Sequence, residues 1–350
     1  MSNLAENKLD LIDNSIKDIG DLLDDGLIIT NRNGFIVSAN DASREFLGKN
    51  LINQNITTFI KSKEFINLVS KKFNENVDKE FFYQMDDVLK RSLSIRIKKL
   101  SNELIVILLL DMTLQRNLEK VRRDFVANVS HELRSPLTSL VGFIETLLSD
   151  NDIDQKSRQK FLNIMDEEAK RMNRLIDDIL SLSKVETEEH ITPSTSLSIL
   201  DPIKSVISSL EESGLSKNNK ISLINKSLDP AKPIYIIGNH DEITQVFTNL
   251  LENAIKYGYE NSEIIVYVEK NKNKEITVII TNEGEGIPQK YLERLTERFF
   301  RVDKARSRKI GGTGLGLAIV KHILIRHRAT LSIDSELNKK TSITINFPSV

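Results

Sequence analysis

No cysteine occurs among the 350 residues, which removes disulfides, thiolate zinc sites and cysteine nucleophiles together and fits a reducing compartment. Charge of one sign is lacking too, because 49 Lys and Arg stand against 50 Asp and Glu for a net charge of −1. With no global basic field to hold nucleic acid or an anionic bilayer, a nucleic-acid partner is not expected. Long apolar runs are missing as well. The longest aliphatic stretch, Leu104 to Leu110, falls far short of the roughly 20 residues that span a bilayer and reads as a buried strand. The opening residues, MSNLAENKLD, contain neither a basic nor an apolar signal region, so a cytoplasmic chain with no transmembrane segment is the expectation. What is present is ordinary for a folded protein: 39% hydrophobic and 28% charged residues, with length for two to three domains of about 100 to 200 residues each.

Periodicity divides the chain. Residues 1–18 read as a polar lead-in, and residues 19–113 as a small α+β unit. It opens with a hairpin, Gly26 to Thr30 and Phe35 to Ser38, whose Asn33-Gly34 supplies the positive φ of a tight turn. Two further strands follow, Ser92 to Lys98 with alternating Leu93, Ile95 and Ile97, and Leu104 to Met112.

From residue 114 to 187 the period is helical. Phe125, Val129, Leu133, Leu137, Leu140, Ile144 and Leu147 form one stripe, Ser149 to Asp152 breaks the helix, and Phe161, Met165, Ala169, Met172, Ile176, Ile179 and Leu182 form a second stripe. Two amphipathic helices joined by a short loop make an antiparallel hairpin that cannot bury its own seam, which predicts a four-helix bundle in a homodimer. Residues 188–198, with Pro193, read as a linker. Residues 199–350 mix helices (Ile203 to Glu212, Ile243 to Lys256, Leu315 to Arg326) with strands (Ile221 to Ile224, Ile234 to Ile237, Glu263 to Val268, Ile276 to Thr281, Ser342 to Phe347), as in one α/β sandwich.

Within the first long helix lies Ser130-His131-Glu132-Leu133-Arg134-Ser135-Pro136. His131 is two positions from Val129 and from Leu133, which turns it away from the apolar stripe and into solvent. Glu132 is placed to accept a hydrogen bond from the ring's Nδ1–H, leaving Nε2 as a nucleophile. Pro136 removes a helical hydrogen bond nearby, as at a movable joint. One exposed histidine on a helix is inert far more often than not, so the C-terminal motifs decide its meaning.

There Gly284-Glu285-Gly286-Ile287 and Gly311-Gly312-Thr313-Gly314-Leu315-Gly316-Leu317 are the glycine-rich stretches. The second opens a helix, so its amides are placed to hold a phosphate chain, yet it is neither a Walker A loop nor a Rossmann fingerprint. Pro288 to Ile310 between them is polar, with Lys304, Arg306, Arg308 and Lys309 near its end, as in a lid. Upstream, Asn249 and Asn253 share a helix face, with Lys256 and Tyr257 a turn on. Amide oxygens suit Mg²⁺, and Lys256 offers a point charge to phosphate.

Together these motifs resemble the sensor histidine kinases. His131 to Leu137 looks like their H box, Asn249 to Tyr257 like the N box, and Gly312 to Leu317 like the second G box. The lid run Arg294 to Lys304 and the following Gly312 to His322 are similar to the PhoR-type phosphate-regulon sensors, and residues 19–113 resemble a PAS domain. The likeness implies autophosphorylation of His131 from Mg-ATP and transfer to an aspartate of a response regulator, with Glu132 as acid/base and Asn253 on Mg²⁺. By the same likeness Asn249, Lys256, Tyr257, Asn282, Gly284, Gly286, Ile287 and Gly312 to Leu317 line the ATP site. Phe299 and Phe300 would anchor the lid, with Arg301 near the γ-phosphate.

Two positions depart from the pattern. Asn282 stands where the family carries an aspartate that accepts from the adenine amino group, and Ser135 stands where Thr or Asn positions water for dephosphorylating the regulator. No His or Cys is available to residues 19–113 for haem ligation or a flavin-thiol adduct. His322 and His327 are splayed on their helix, so a transition-metal site is not expected. Two other readings remain: an ATP-fuelled conformational machine sharing the nucleotide fold, which the H box disfavours, and a catalytically weak scaffold or phosphatase that docks the regulator, which Asn282 motivates.

Overall fold

A computed structural model describes residues 20–71, 78–86, 90–99, 104–149, 153–216, 219–226, 233–270, 275–303 and 311–348. The lead-in 1–18, residues 150–152 of the expected helix break, and Lys304, Arg306, Arg308 and Lys309 of the lid lie outside them. Chain contacts separate two compact units, Met1–Asp124 and Phe125–Val350.

In the first unit, strands β1 (Gly26–Asn31), β2 (Ile36–Ala39), β3 (Asp78–Gln84), β4 (Ser92–Lys99) and β5 (Leu104–Asp111) form an antiparallel sheet of order β2-β1-β5-β4-β3. The hairpin turn is closed by Gly34 at φ +83. Alternation decides which face is covered: Leu93, Ile95 and Ile97 of β4 and Ile105, Ile107 and Leu109 of β5 are buried. The continuous Leu104 to Leu110 run therefore has one buried and one half-buried face. Helices α1 (Asp41–Leu47) and α2 (Lys63–Ser70) and strand β3 complete the unit, and the sequence reading did not include them. Asn40 begins α1 because its Oδ1 accepts from the Ser43 amide at 3.0 Å.

Helix α3 (Thr113–Ser149) runs unbroken through Pro136, and α4 (Gln155–Glu188) starts where Asp154 accepts from the amides of Lys156 and Ser157. The rings of Phe143 and Phe161 lie 5.2 Å apart between the two helices. Leu182 of the second expected stripe is buried, together with Leu175 and Val185, which lie outside that stripe, whereas Leu137, Ile144 and Ile176 are exposed in the single chain. The reason is competition for the helix faces: α4 turns part of its apolar surface to the following α/β lobe, and Leu175 packs into that lobe's core.

The lobe contains β6 (Ser196–Ser198), α5 (Leu200–Glu212), β7 (Lys220–Asn225), β8 (Tyr235–Ile237), α6 (His240–Tyr257), β9 (Glu263–Lys270), β10 (Ile276–Glu283), α7 (Gln289–Leu292), α8 (Gly316–Arg326), β11 (Thr330–Glu336) and β12 (Lys340–Phe347). The segment read as a linker thus ends in a strand, since β6 pairs with β8. The main sheet has the order β11-β12-β10-β9-β7, with only β7 and β9 parallel among these pairs. Alternate residues of β9 and β10 (Ile264, Val266, Val268; Ile276, Val278, Ile280) meet Phe247, Leu250 and Leu251 of α6 and Ile319 and Ile323 of α8 in one core. Each such side chain contributes about 1.5–3 kcal/mol by leaving water. Among the described residues no helix is long and apolar enough to cross a membrane.

Candidate functional site

His131 is exposed on α3 and has no hydrogen bond or ion pair among the described contacts. Glu132, next to it, is turned inward with 18% of its side chain exposed. Its Oε2 is 3.0 Å from Nη2 of Arg171 on α4 and 3.2 Å from Nη2 of Arg301 on the lid. The expected hydrogen bond to the imidazole is therefore not formed in this arrangement, because two guanidiniums hold a carboxylate more strongly than a neutral ring does. Ser135 is exposed, and Pro136 packs among Met172, Leu175 and Thr313.

Helix α6 brings Asn249, Asn253, Lys256 and Tyr257 to the other side of the site. Its start is fixed by Asn239, whose Oδ1 accepts from the amides of Asp241 and Glu242, while its own amide donates to Nε2 of His327 at 3.0 Å. His327 also donates from Nδ1 to the Ile323 carbonyl at 2.7 Å, and burial holds its imidazole below the ordinary histidine value, as a neutral ring in this role requires. Burial pushes Glu242, the carboxylate beside it, upward against the pull of Arg326.

Asn249 and Asn253 are half-buried, one helical turn apart, and a Cβ on Gly316 would lie 2.8 Å from the Asn249 amide oxygen. That close approach places the Asn249 side chain at the start of α8. Lys256 is not free for phosphate here, since its Nζ is 2.6 Å from Glu252. Asn282 ends the buried face of β10 at 8% exposure, and its Nδ2 donates to the Glu283 carbonyl at 3.3 Å. The loop Gly284 to Ile287 is stitched to the β11–β12 hairpin: Gly284 donates to the Lys339 carbonyl, Asn338 to the Glu285 carbonyl, and the Ile287 amide to the Ser335 hydroxyl.

The lid folds back on the Gly-rich loop. Phe299, at φ +63, donates its amide to the Gly314 carbonyl at 2.8 Å, and Gly314 itself is at φ +77. The Arg301 side chain donates to the Thr313 carbonyl at 2.6 Å. Phe300 packs on Tyr291 with Arg294 over its ring, whereas Phe299 lies 5.8 Å from Phe125 of α3. Leu315 is buried, and Gly312, Gly316 and Leu317 are half-buried around it.

Four residues at this site were not singled out in the sequence: Arg171 on Glu132, Arg174 against Gly311, Asp178 under Thr313, and Glu186 against Arg298. All lie on the charged face of α4, which reads as solvated. The Thr313 hydroxyl donates to Asp178 at 2.6 Å. Burial nonetheless raises the Asp178 carboxyl, outweighing Thr313 and the nearby Lys256. With the folded pKa above the unfolded one, the stability Asp178 contributes is present at low pH and is lost as pH rises through the folded value. Asp178→Asn retains an acceptor for Thr313 and removes this titration. The variant is expected to be the more stable at neutral pH and to lose that part of the pH dependence, as followed by thermal unfolding across pH.

A helical hairpin bearing one solvent-facing histidine is followed by an α/β lobe whose lid reaches the neighbouring Glu132 through Arg301 and whose Gly-rich loop reaches Asp178 of the same hairpin through Thr313. The profile of the His Kinase A (phospho-acceptor) domain matches residues 121–188. That of the histidine kinase-, DNA gyrase B- and HSP90-like ATPase matches residues 238–350. Sensor histidine kinase WalK of Bacillus subtilis is 33% identical over 333 residues, 93% of this chain and 53% of that protein. The phosphate regulon sensor protein PhoR of Pseudomonas aeruginosa is 41% identical over 244 residues, 69% of this chain and 53% of that protein. A Staphylococcus aureus WalK is 33% identical over 335 residues, 93% of this chain and 79% of that protein. The chain belongs to the sensor histidine kinase family. It spans about half the length of the first two relatives. The solved complex of histidine kinase ThkA with response regulator protein TrrA shares the fold, with TM-score 0.52 and 22% identity over 93% of this chain and 96% of that one.

Proposed function

We propose that this chain is an ATP-dependent protein-histidine kinase of a two-component pathway, phosphorylated on His131 and passing the phosphoryl group to an aspartate of a response regulator. The observation that carries the reading is the exposed His131 beside a Glu132 that the nucleotide lobe already reaches through Arg301. ThkA, solved with a response regulator, supports the choice of partner. In the transfer, Nε2 of His131 attacks the γ-phosphorus as the bond to the β-phosphate oxygen breaks and ADP leaves. Glu132, once released from Arg301, accepts the ring's Nδ1–H and steadies the cation that forms. Asn249, Asn253, Lys256 and Tyr257 from α6, with Asn282, Gly284, Gly286, Ile287 and the Gly312 to Leu317 loop, position the nucleotide. Phe300 steadies the lid, and Arg301 exchanges Glu132 for the γ-phosphate. Catalysis is then positioning plus charge neutralisation. The half-buried Asn253 amide offers the hard oxygen that Mg²⁺ prefers, and the ion would supply charge neutralisation on the phosphates.

Ser135, exposed one turn after His131, suits a water-orienting role in regulator dephosphorylation. The exposed stripe Leu137, Val141, Ile144 and Leu148 on α3, with Leu162, Ile176 and Leu180 on α4, is a face that a second copy would cover, giving a homodimer with a four-helix bundle. Residues 19–113 act as the PAS-like sensor, residues 114–187 as the dimerisation and phosphotransfer hairpin, and residues 199–350 as the ATP-binding domain. The PhoR likeness favours a phosphate-related signal.

Incubation with γ-labelled ATP and Mg²⁺ tests the reading. Acid-labile, base-stable label on the chain is the expected result, and no label at all would leave a regulator-docking scaffold in its place. Asn282 makes a second expectation. An amide loses the charge-assisted bond to an adenine amino group at a cost on the order of 1 kcal/mol and is able to flip and donate instead. Asn282→Asp is expected to tighten ATP severalfold and sharpen preference over GTP in competition binding; unchanged selectivity would refute the idea.

A further inference from the structure

Two arginines hold Glu132 through a single oxygen. Nη2 of Arg171, from α4, lies 3.0 Å from its Oε2, and Nη2 of Arg301, from the lid, lies 3.2 Å from the same atom. The other oxygen, Oε1, makes no hydrogen bond or ion pair among the described residues. The setting is poor in water. The side chains of Arg171 and Arg301 are 13% and 5% exposed, and Pro136, Met172 and Leu175 line the same crevice. A carboxylate placed there needs a cation at every stage, because burying it without a partner is costly.

The two arginines belong to different parts of the molecule. Arg171 is on the helix that faces Glu132 within the hairpin, and its Nη1 reaches Glu168 at 3.5 Å. Arg301 belongs to the lobe. Its Nη2 is shared with the Thr313 carbonyl, and its Nε is buried without a hydrogen-bond partner among the described residues. When the lid moves, Arg301 leaves a site that does not satisfy it, whereas Arg171 stays with the hairpin. We propose that Arg171 is a positioning residue for phosphoryl transfer: it keeps Oε2 of Glu132 anchored when Arg301 moves to the nucleotide, and so presents Oε1 to the imidazole of His131. This rests on the proposed kinase function. A second consequence concerns the nucleotide. Two guanidiniums on one oxygen repel each other and divide its lone pairs, so each weakens the other's hold. Arg171 thereby eases the release of Arg301 to the γ-phosphate, although it is not among the residues expected to hold the nucleotide.

In the full chain, Arg171→Gln is expected to weaken ATP binding about fivefold, as measured by titration calorimetry. ADP, which lacks the phosphate that Arg301 is expected to meet, should bind as before. Labelling from saturating γ-labelled ATP is expected to slow roughly ten- to a hundredfold, the cost of a misplaced catalytic group. Arg171→Lys keeps the charge without the planar fork, so it is expected to restore most of the ATP affinity and only part of the labelling rate. In a Glu132→Gln background, Arg171→Gln is expected to change neither quantity further. A wild-type labelling rate in Arg171→Gln overturns the positioning role, and wild-type ATP affinity overturns the eased release. Effects of the same size in the Glu132→Gln background, or an equal loss for ADP, overturn both and leave a merely structural contact. An ATP effect that depends on Glu132, with no label from any of these chains, overturns the kinase reading, and the eased release stands without it.

Discussion

Replacing His131 by alanine is expected to remove all of the acid-labile label and to leave thermal stability within about 0.5 kcal/mol of wild type. The two outcomes come from the same fact. His131 is exposed and makes no polar contact among the described residues, so nothing in the fold depends on the ring. The other four histidines are poor substitutes. His327 is buried with both nitrogens committed, and His322 lies between two carboxylates. His190 and His240 are exposed, but neither is followed by a carboxylate that the lid reaches. Mapping of the label on the variant is the decisive measurement. Label persisting on His190 or His240 would move the acceptor off the hairpin face and undo the assignment of Glu132 and Arg301.

Residues carrying local chemistry were legible in the sequence, whereas their partners across the fold were not. His131, Asn249, Asn253 and the Gly-rich loop announce themselves by residue type at fixed spacing, and α6 and α8 show a helical apolar period. Strand β11 was missed because Thr330 to Glu336 alternates half-buried with exposed residues and has no buried face, so polar Ser332, Asp334 and Ser335 conceal it. Strand β3 was missed for a related reason, with Phe81 its only buried residue. The burial of Leu175, next to Ile176 of the expected stripe but not part of it, shows a second limit: adjacent apolar residues fit the helical period almost equally, and the lobe that covers Leu175 is contributed by later sequence. Arg171, Asp178 and Glu186 share that difficulty. A charged residue on a charged helix face has no local mark that distinguishes a partner from solvent, and Glu132 itself was assigned to its neighbour His131 when two arginines distant in sequence hold it.

Gly286→Ala is expected to be the most damaging small substitution in the nucleotide lobe. Gly286 has φ +70, where a Cβ costs about 1–2 kcal/mol. The added carbon would also overlap the Glu336 carbonyl oxygen and lie 2.8 Å from its carbon and 2.9 Å from the Leu337 Cα. These are backbone atoms, and the hairpin that holds them is tied to the same loop through Lys339, Asn338 and Ser335, so neither side has room to yield. Overpacking of this kind adds about 1–3 kcal/mol. At about 2–4 °C per kcal/mol for a unit of this size, Tm is expected to fall by roughly 5–15 °C, and ATP affinity at least about tenfold if the loop must open by one such increment. Gly316 provides the contrast. A Cβ there meets the far end of the Asn249 side chain at 2.8 Å, which is able to rotate away, so Gly316→Ala should weaken nucleotide binding with little change in Tm. Calorimetric unfolding and ATP titration of the two variants side by side distinguish backbone collision from side-chain displacement, and a Gly286→Ala chain with wild-type Tm would show that the loop is not fixed by the hairpin.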